Sequence, residues 1–228
     1  IRDSAAFVGV AILGAIAFPR FAGNRFSAAA LTVWLPGFIL VAMAAWEAGS
    51  VEQVAASLRR RLQDGGITLR WRHLALLGAM AVAAFLRLYR IAEIPLEMGC
   101  DLPHNYDNIR QILAGEAPIF FPSHPGREGL FFYLAAPLAA AFGLSHTTIK
   151  VASALIGVLT VPAVYLLGRE LYDRETGLVA ALFLAISHWH VILTRVGYRA
   201  SVLPLVLTLM WLFWARGWRT GSKAAHAV

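Results

Sequence analysis

Charge is what this chain of 228 residues has least of: Asp, Glu, Lys and Arg make up 14% of it, against about 25% in a soluble domain. An ordinary water-soluble domain is excluded on that ground. A single cysteine, Cys100, leaves no intrachain disulfide to form, so a disulfide-held secreted fold is excluded and cysteine usage identifies no compartment. The alternation of barrel strands is missing, as are internal repeats and low-complexity tracts. Also missing are a glycine-rich phosphate loop and a nucleophile elbow, so neither ATP-driven nor serine-nucleophile chemistry is expected and no cofactor is implied. The first residue is not Met, which reads as a piece of a longer chain. What is present is apolar surface: 59% hydrophobic residues, with seven Trp and thirteen Phe, which excludes disorder. The net charge of +7 does not point to nucleic acid, because most Arg residues flank apolar runs and no basic stripe with interleaved aromatics occurs.

The apolar runs cover residues 5–18, 26–46, 74–86, 129–142, 151–168, 176–187 and 200–215, and none contains Asp, Glu, Lys or Arg. A bilayer core of about 30 Å needs about 20 helical residues, so 26–46 spans as it stands. Residues 74–86 reach spanning length by extending to Tyr89 with Arg72 and Arg87 snorkelling to opposite interfaces, and 176–187 by continuing through Trp189 to Leu193. Residues 5–18 read as a further span, with a signal-peptide core as the competing reading. The predicted fold is an all-α polytopic membrane protein.

Orientation follows from the basic residues. Arg59, Arg60, Arg61, Arg70 and Arg72 place 47–73 in the cytoplasm. The span after them exits into a large external loop, 91–150, which holds six of the thirteen acids. Residues 129–142 amount to about 21 Å of helix, too short to cross, and carry Pro137. Had they crossed, Arg169, Arg174, Arg216, Arg219 and Lys223 would lie outside, so the segment is read as a juxtamembrane helix. A second short external helix is expected over 103–114, with Pro103 in its first turn and Gly115 as its stop. The resulting layout is two N-terminal spans (1–46), a basic cytoplasmic stretch (47–73), a helical core (74–217) and a cytoplasmic tail (218–228).

The external face gathers Asp101, His104, Asp107, His124, Arg127, Glu128, His146, His188, His190, Arg195, Tyr198 and Arg199. Asp101 fits a general base acting on a hydroxyl, and equally an N-terminal helix cap. Asp107 fits a solvated helix face. Arg127 and Glu128 are expected to start a helix, where an Arg beside an N-terminus suits phosphate and Glu128 also serves as a first-turn acid. Arg195 and Arg199, four apart, share a face if helical; they fit a phosphate or pyrophosphate leaving group, or simple snorkelling. His188 and His190 fall on different helix faces, with no third ligand nearby, so no metal site is expected.

These residues sit in an ordered set of strings: Arg-Leu-Tyr-Arg-Ile (87–91), Glu-Met-Gly-Cys-Asp (97–101), Ile-Leu-Ala-Gly-Glu (112–116) and Ile-Phe-Phe-Pro-Ser-His-Pro-Gly-Arg-Glu (119–128). Phe-Phe-Tyr-Leu (131–134), Ala-Leu-Ile-Gly-Val-Leu-Thr-Val-Pro (154–162), His-Trp-His-Val (188–191) and Thr-Arg-Val-Gly-Tyr-Arg (194–199) follow. In these strings residues 87–207 resemble the membrane glycosyltransferases of family 39, which include protein O-mannosyltransferases and the lipid A aminoarabinose transferase, with the large-loop GT-C architecture. The resemblance implies a polyprenyl-phosphate-linked sugar donor, a lipid, glycan or protein hydroxyl acceptor, inversion at the anomeric carbon, and Asp101 as base. It also implies a juxtamembrane segment near Gly129. On this reading Arg127, Arg195 and Arg199 bind the donor phosphate, His104, Glu128, His190 and Tyr198 are acceptor or accessory residues, and the active face lies outside the plasma membrane. Two departures stand out. Leu102 replaces the acid that many members carry after the Asp, and the region of Ala200 lacks a second Asp. A transporter and an inactive scaffold of the same fold are the competing readings; the charge-free span interiors disfavour the first, and the two departures would favour the second if they reflect lost activity.

Overall fold

The computed structural model describes residues 2–45, 71–96, 102–122 and 126–220. In chain order the helices are α1 (Arg2–Ala17), α2 (Ala28–Ala45), α3 (Trp71–Leu88), α4 (Leu102–Leu113), α5 (Leu130–Phe142), α6 (His146–Leu171), α7 (Arg174–Ile186), α8 (His188–Arg195) and α9 (Val202–Thr220). A two-residue antiparallel pair, β1 (Phe120–Phe121) and β2 (Arg127–Glu128), lies between α4 and α5. Among the described residues three segments are long and apolar enough to cross a bilayer: α3, α6, and Arg199–Arg219, which contains most of α9. A fourth crossing is available if α7 and α8 are taken together as one bent span.

Helix α6 is the axis of the bundle. Ser145 caps its start by accepting from the Thr148 N–H at 3.1 Å, and the helix runs without interruption through Pro162. Its surface is shared between two cores. Near its start Ile149, Ala152 and Ile156 pack with Ile109 of α4 and with Phe131, Phe132, Ala135 and Ala139 of α5. Towards its end Val161 and Tyr165 pack with Ala79 and Ala83 of α3 and with Leu178, Ala181 and Ala185 of α7. The second core is built on small residues at intervals of four, which bring helix backbones close where lipid supplies no hydrophobic drive for association. The tightest approach is between α6 and α7. A Cβ on Gly177 would stand 2.6 Å from the Tyr165 carbonyl oxygen, and one on Gly168 would stand 2.8 Å from Gly177 Cα. Outward faces carry Leu74, Leu77, Phe85, Leu159, Leu182, Phe183, Leu207 and Trp211, all exposed, as expected of surfaces that meet acyl chains.

The apolar run 129–142 is helical only over Leu130–Phe142 and packs on α4 and α6, falling among the helices too short to span. The short helix expected at 103–114 is α4. The run expected to continue from Thr176 to Leu193 reaches spanning length only as a bent pair: it breaks at Ser187, and α7 and α8 meet at 53°. Arg87 is the physical reason. Instead of snorkelling to an interface, it is fully buried and donates through Nη1 to the Ala83 and Ala185 carbonyls at 3.1 and 2.9 Å. Its Nη2 donates to the Leu184 carbonyl at 3.3 Å and to His190 Nδ1 at 2.7 Å. A guanidinium only donates, so His190 Nδ1 is the acceptor and the ring proton sits on Nε2. Carbonyls that a continuous helix would satisfy with its own N–H groups are served here by an arginine from α3.

The turn between α1 and α2 and the stretch before β1 lie together at one end of the bundle. The turn between α1 and α2 pairs with the stretch before β1: the Phe26 N–H donates to the Ala117 carbonyl at 2.8 Å and the Ile119 N–H to the Asn24 carbonyl at 3.2 Å. The Phe120 N–H donates to Asn24 Oδ1 at 2.9 Å, and the Phe26 and Tyr133 rings meet edge to face.

Candidate functional site

At this loop end the site is assembled from α4, β2 and the turn between α8 and α9. Helix α4 begins at Leu102, and its buried face is Leu102, Asn105, Asn108 and Ile109, a spacing of three and four that turns two amides inward with two aliphatic chains. Leu102 rests on Gly197, where a Cβ would stand 3.4 Å from Leu102 Cδ2 and 3.2 Å from Ile149 Cγ2. Gly197 has φ +80, a conformation that L side chains rarely adopt, so glycine is required both for the turn and for the contact. Asn105 then joins three segments: its Nδ2 donates to the Gly197 carbonyl at 3.1 Å and its Oδ1 accepts from Arg127 Nη1 at 3.3 Å.

Arg127 and Glu128 were expected in the first turn of a helix and are found on β2. The reason is Gly126, whose φ of +89 turns the chain ahead of Arg127, with Phe121 opposite Arg127 in the strand pair. Alternation along the strand sends Arg127 inward, 2% exposed, and Glu128 outward. Glu128 Oε1 lies 3.6 Å from Arg199 Nε. Arg195 and Arg199 do not share a helix face. α8 ends at Arg195, Gly197 reverses the chain, and Arg199 opens a short 3₁₀ turn. Tyr198 and Arg199 are half-buried beside that turn, His104 is half-buried on α4, and His190 is buried against Arg87 rather than on the external face. Asp107 pairs with Arg110 at 2.7 Å on the exposed side of α4. Asp101, His124 and Cys100 lie outside the described residues; Asp101 immediately precedes Leu102 in the chain.

Two further cations organise the segment that leads towards Asp101. Arg195 donates to the carbonyls of Leu86, Tyr89 and Ile94 at 2.6, 2.9 and 2.9 Å. Lys150, fully buried, donates to the Ile91 and Pro95 carbonyls at 2.7 and 2.5 Å. Residues 89–96, having left the α3 helix, are thus held by side chains from α6 and α8. Asn105, Lys150 and Arg87 carry the geometry of this end, yet sequence reasoning did not single out the first two and misplaced the third. The available signals were the i, i+3 spacing of Leu102 and Asn105 and a lone lysine directly ahead of an apolar run.

These features define a class: a polytopic helical membrane protein with a polar, cation-rich site at one end of its bundle, built from a loop helix and the turn after a broken span. Residues 123–227 match the model of the dolichyl-phosphate-mannose-protein mannosyltransferase family, a little under half of the chain. The match supports a GT-C glycosyltransferase and, in the general sense, a membrane glycosyltransferase activity. It takes in Arg127, Glu128, His190, Arg195, Tyr198 and Arg199, and Asp101 lies ahead of it. No curated protein and no solved structure matches the chain.

Proposed function

We propose that this protein transfers a sugar from a polyprenyl-phosphate carrier to a hydroxyl acceptor at the outer face of the plasma membrane, with inversion. The observation that carries the reading is the buried link from Arg127 through Asn105 to Gly197, which fastens the helix directly after Asp101 to the turn bearing Tyr198 and Arg199. In the proposed reaction the Asp101 carboxylate takes the acceptor proton as the acceptor oxygen bonds to the anomeric carbon. The bond from that carbon to the phosphate oxygen breaks, and the polyprenyl phosphate leaves with the electron pair. Arg199 has a partly exposed side chain and only a long contact to Glu128, so it is the arginine free to contact the phosphate. Arg127 and Arg195 hold the surrounding backbone and side chains in place and add positive charge around the leaving group, an oriented field suited to developing anionic charge. His104, Glu128, His190 and Tyr198 are left with acceptor-side or accessory roles.

A transporter reading draws support from the bent α7–α8 span, since transporters bind their substrates at broken helices. Here the break is already served by Arg87, which leaves little of it for a substrate.

The test uses membranes carrying the full-length protein and radiolabelled polyprenyl-phosphate sugars. Loss of a general base costs roughly 10²–10⁴-fold, so Asp101→Asn is expected to fall by at least about 100-fold while keeping wild-type abundance. Equal transfer by both proteins would remove Asp101 from the reaction. Absence of transfer by the wild type with every donor tried would favour the inactive scaffold.

A further inference from the structure

At the end of the bundle opposite the candidate site, an open cavity of about 610 Å³ is formed where α3 and α7 begin and α6 and α9 end. Helix α6, about 39 Å long at 1.5 Å per residue, separates it from the loop end. Three carboxylates line it and all three are committed. Glu175 pairs with Arg72, and Glu170, almost fully buried, meets Arg216 Nε at 3.2 Å and Arg219 Nη2 at 2.7 Å. Asp173 caps α7 by accepting from the Thr176 N–H at 2.7 Å.

The lining arginines are not matched in the same way. Arg169 stands over the Tyr165 ring with its guanidinium carbon 5.8 Å from the centroid, and no carboxylate among the described residues pairs with it or with Arg174. Arg72 Nε is buried and has no hydrogen-bond partner. The cavity therefore combines two glutamates paired with arginines, the capping carboxylate of Asp173, two guanidinium groups without a carboxylate partner and one orphaned N–H donor, at the level where spanning helices meet lipid headgroups. A planar fork of N–H donors fits the oxygens of a phosphate, and basic pockets between spans are suited to anionic lipid heads.

We infer that this cavity is a binding site for a phosphate group, with Arg169 and Arg174 as its principal ligands and Arg72 Nε as a further donor. On the proposed orientation it opens to the cytoplasmic leaflet, where an anionic phospholipid supplies that phosphate; a free phosphate is the other source. The site is separate from the proposed donor site, so its test does not depend on sugar transfer.

The full chain, purified in a neutral detergent, is titrated with phosphatidylglycerol, phosphatidylcholine or inorganic phosphate, and the thermal unfolding midpoint and the lipid retained in native mass spectrometry are read. Each arginine at an anionic lipid head contributes about 5-fold in affinity, so Arg169→Gln with Arg174→Gln is expected to need about 25-fold more phosphatidylglycerol for the same shift. Arg90→Gln, an exposed change at the other end, is expected to titrate as wild type. Arg174→Gln alone removes an exposed side chain with no ion pair; its expected 5-fold loss provides the reading if the double variant does not fold. Inorganic phosphate matching phosphatidylglycerol, with the same loss in the variants, would keep the phosphate site and replace the lipid by a soluble source. Phosphatidylcholine matching phosphatidylglycerol with no loss in the variants, or equal titrations in wild type and Arg174→Gln, would overturn the inference.

Discussion

Arg87 puts the electrostatics of this bundle to a quantitative test. Its guanidinium is buried with no carboxylate among its recorded partners, and its hydrogen bonds to the Ala185 carbonyl at 2.9 Å and His190 Nδ1 at 2.7 Å are the shortest of its four. Hydrogen bonds to a charged group contribute about 1.5–3 kcal/mol each, so these two contribute about 3–6 kcal/mol, and the longer ones to Ala83 and Leu184 add less. Against this stands the desolvation of one guanidinium, an effective penalty of several kcal/mol that Arg87→Met would recover. The same substitution strands the Ala185 oxygen and the His190 ring, at about 1–3 kcal/mol for each unsatisfied buried group. The lost bonds and the recovered desolvation are of similar size and offset each other, so the net expectation is the stranding of the two groups, a loss of about 2–6 kcal/mol. For a chain of this size that lowers the unfolding midpoint by about 4–24 °C, read in detergent by intrinsic fluorescence. Arg87→Lys keeps the charge but reaches fewer of the four acceptors, so it is expected to fall between wild type and Arg87→Met. If Arg87→Met equals wild type, or is more stable than Arg87→Lys, the cost of burying the charge exceeds what its bonds return, and the account of the broken span fails.

Three further outcomes follow from the packing and the caps. Gly177→Ala places a Cβ 2.6 Å from the Tyr165 oxygen and is expected to destabilise the α6–α7 contact by about 1–3 kcal/mol, visible as a lower unfolding midpoint; an unchanged midpoint would mean that the two helices part without cost. Asn105→Leu keeps the side-chain volume but removes the hydrogen bonds that join Arg127 and the Gly197 carbonyl through Asn105; sugar transfer is expected to fall at least about 10-fold with protein abundance retained, whereas wild-type transfer would separate this link from function. The Asp173 carboxyl is held below the ordinary carboxylate value of about 3.9, chiefly because it accepts the Thr176 N–H. Its folded value lies below its unfolded one, so its stabilisation is complete above the unfolded value and is lost as pH falls through the folded one. Asp173→Asn still caps but does not titrate, and is expected to flatten that part of the acid dependence of the unfolding midpoint.

The elements most legible in the sequence were those set by long apolar runs. α3, α6 and the last span stand where hydropathy put them, and the short apolar run at Leu130–Phe142 is a helix below spanning length. The break at Ser187 was not legible, because no Pro or Gly marks it and the apolar run before it supplies no reason to stop. It depends on Arg87, about 100 positions earlier in the chain, reaching the Leu184 and Ala185 carbonyls. Reading Arg87 as a snorkelling residue came from its position at the edge of a run, which fixes depth along the helix but not which face the side chain takes. The placement of Arg127 failed for a different reason: a two-residue strand pair is too short to show any periodicity, and acidic and basic residues ahead of an apolar run also suit a helix start. Of the candidate residues, Arg127 and Arg199 come to the same end of the bundle, while Arg195 and His190 are engaged with backbone carbonyls and with Arg87 respectively.

The pairing of the first turn with residues 117–120 has a consequence for biogenesis. Helices α1 and α2 leave the ribosome before the loop that carries α4 and the strand pair, so their turn is in place when Ala117, Ile119 and Phe120 arrive. Those three backbone groups find Asn24 and Phe26 waiting as a preformed edge, and the Phe26 ring receives Tyr133 as α5 settles. The N-terminal hairpin, earlier in synthesis, thus offers the edge on which that loop packs. A shortened protein that begins at α3 would insert its spans but lack the surface against which that loop is shaped.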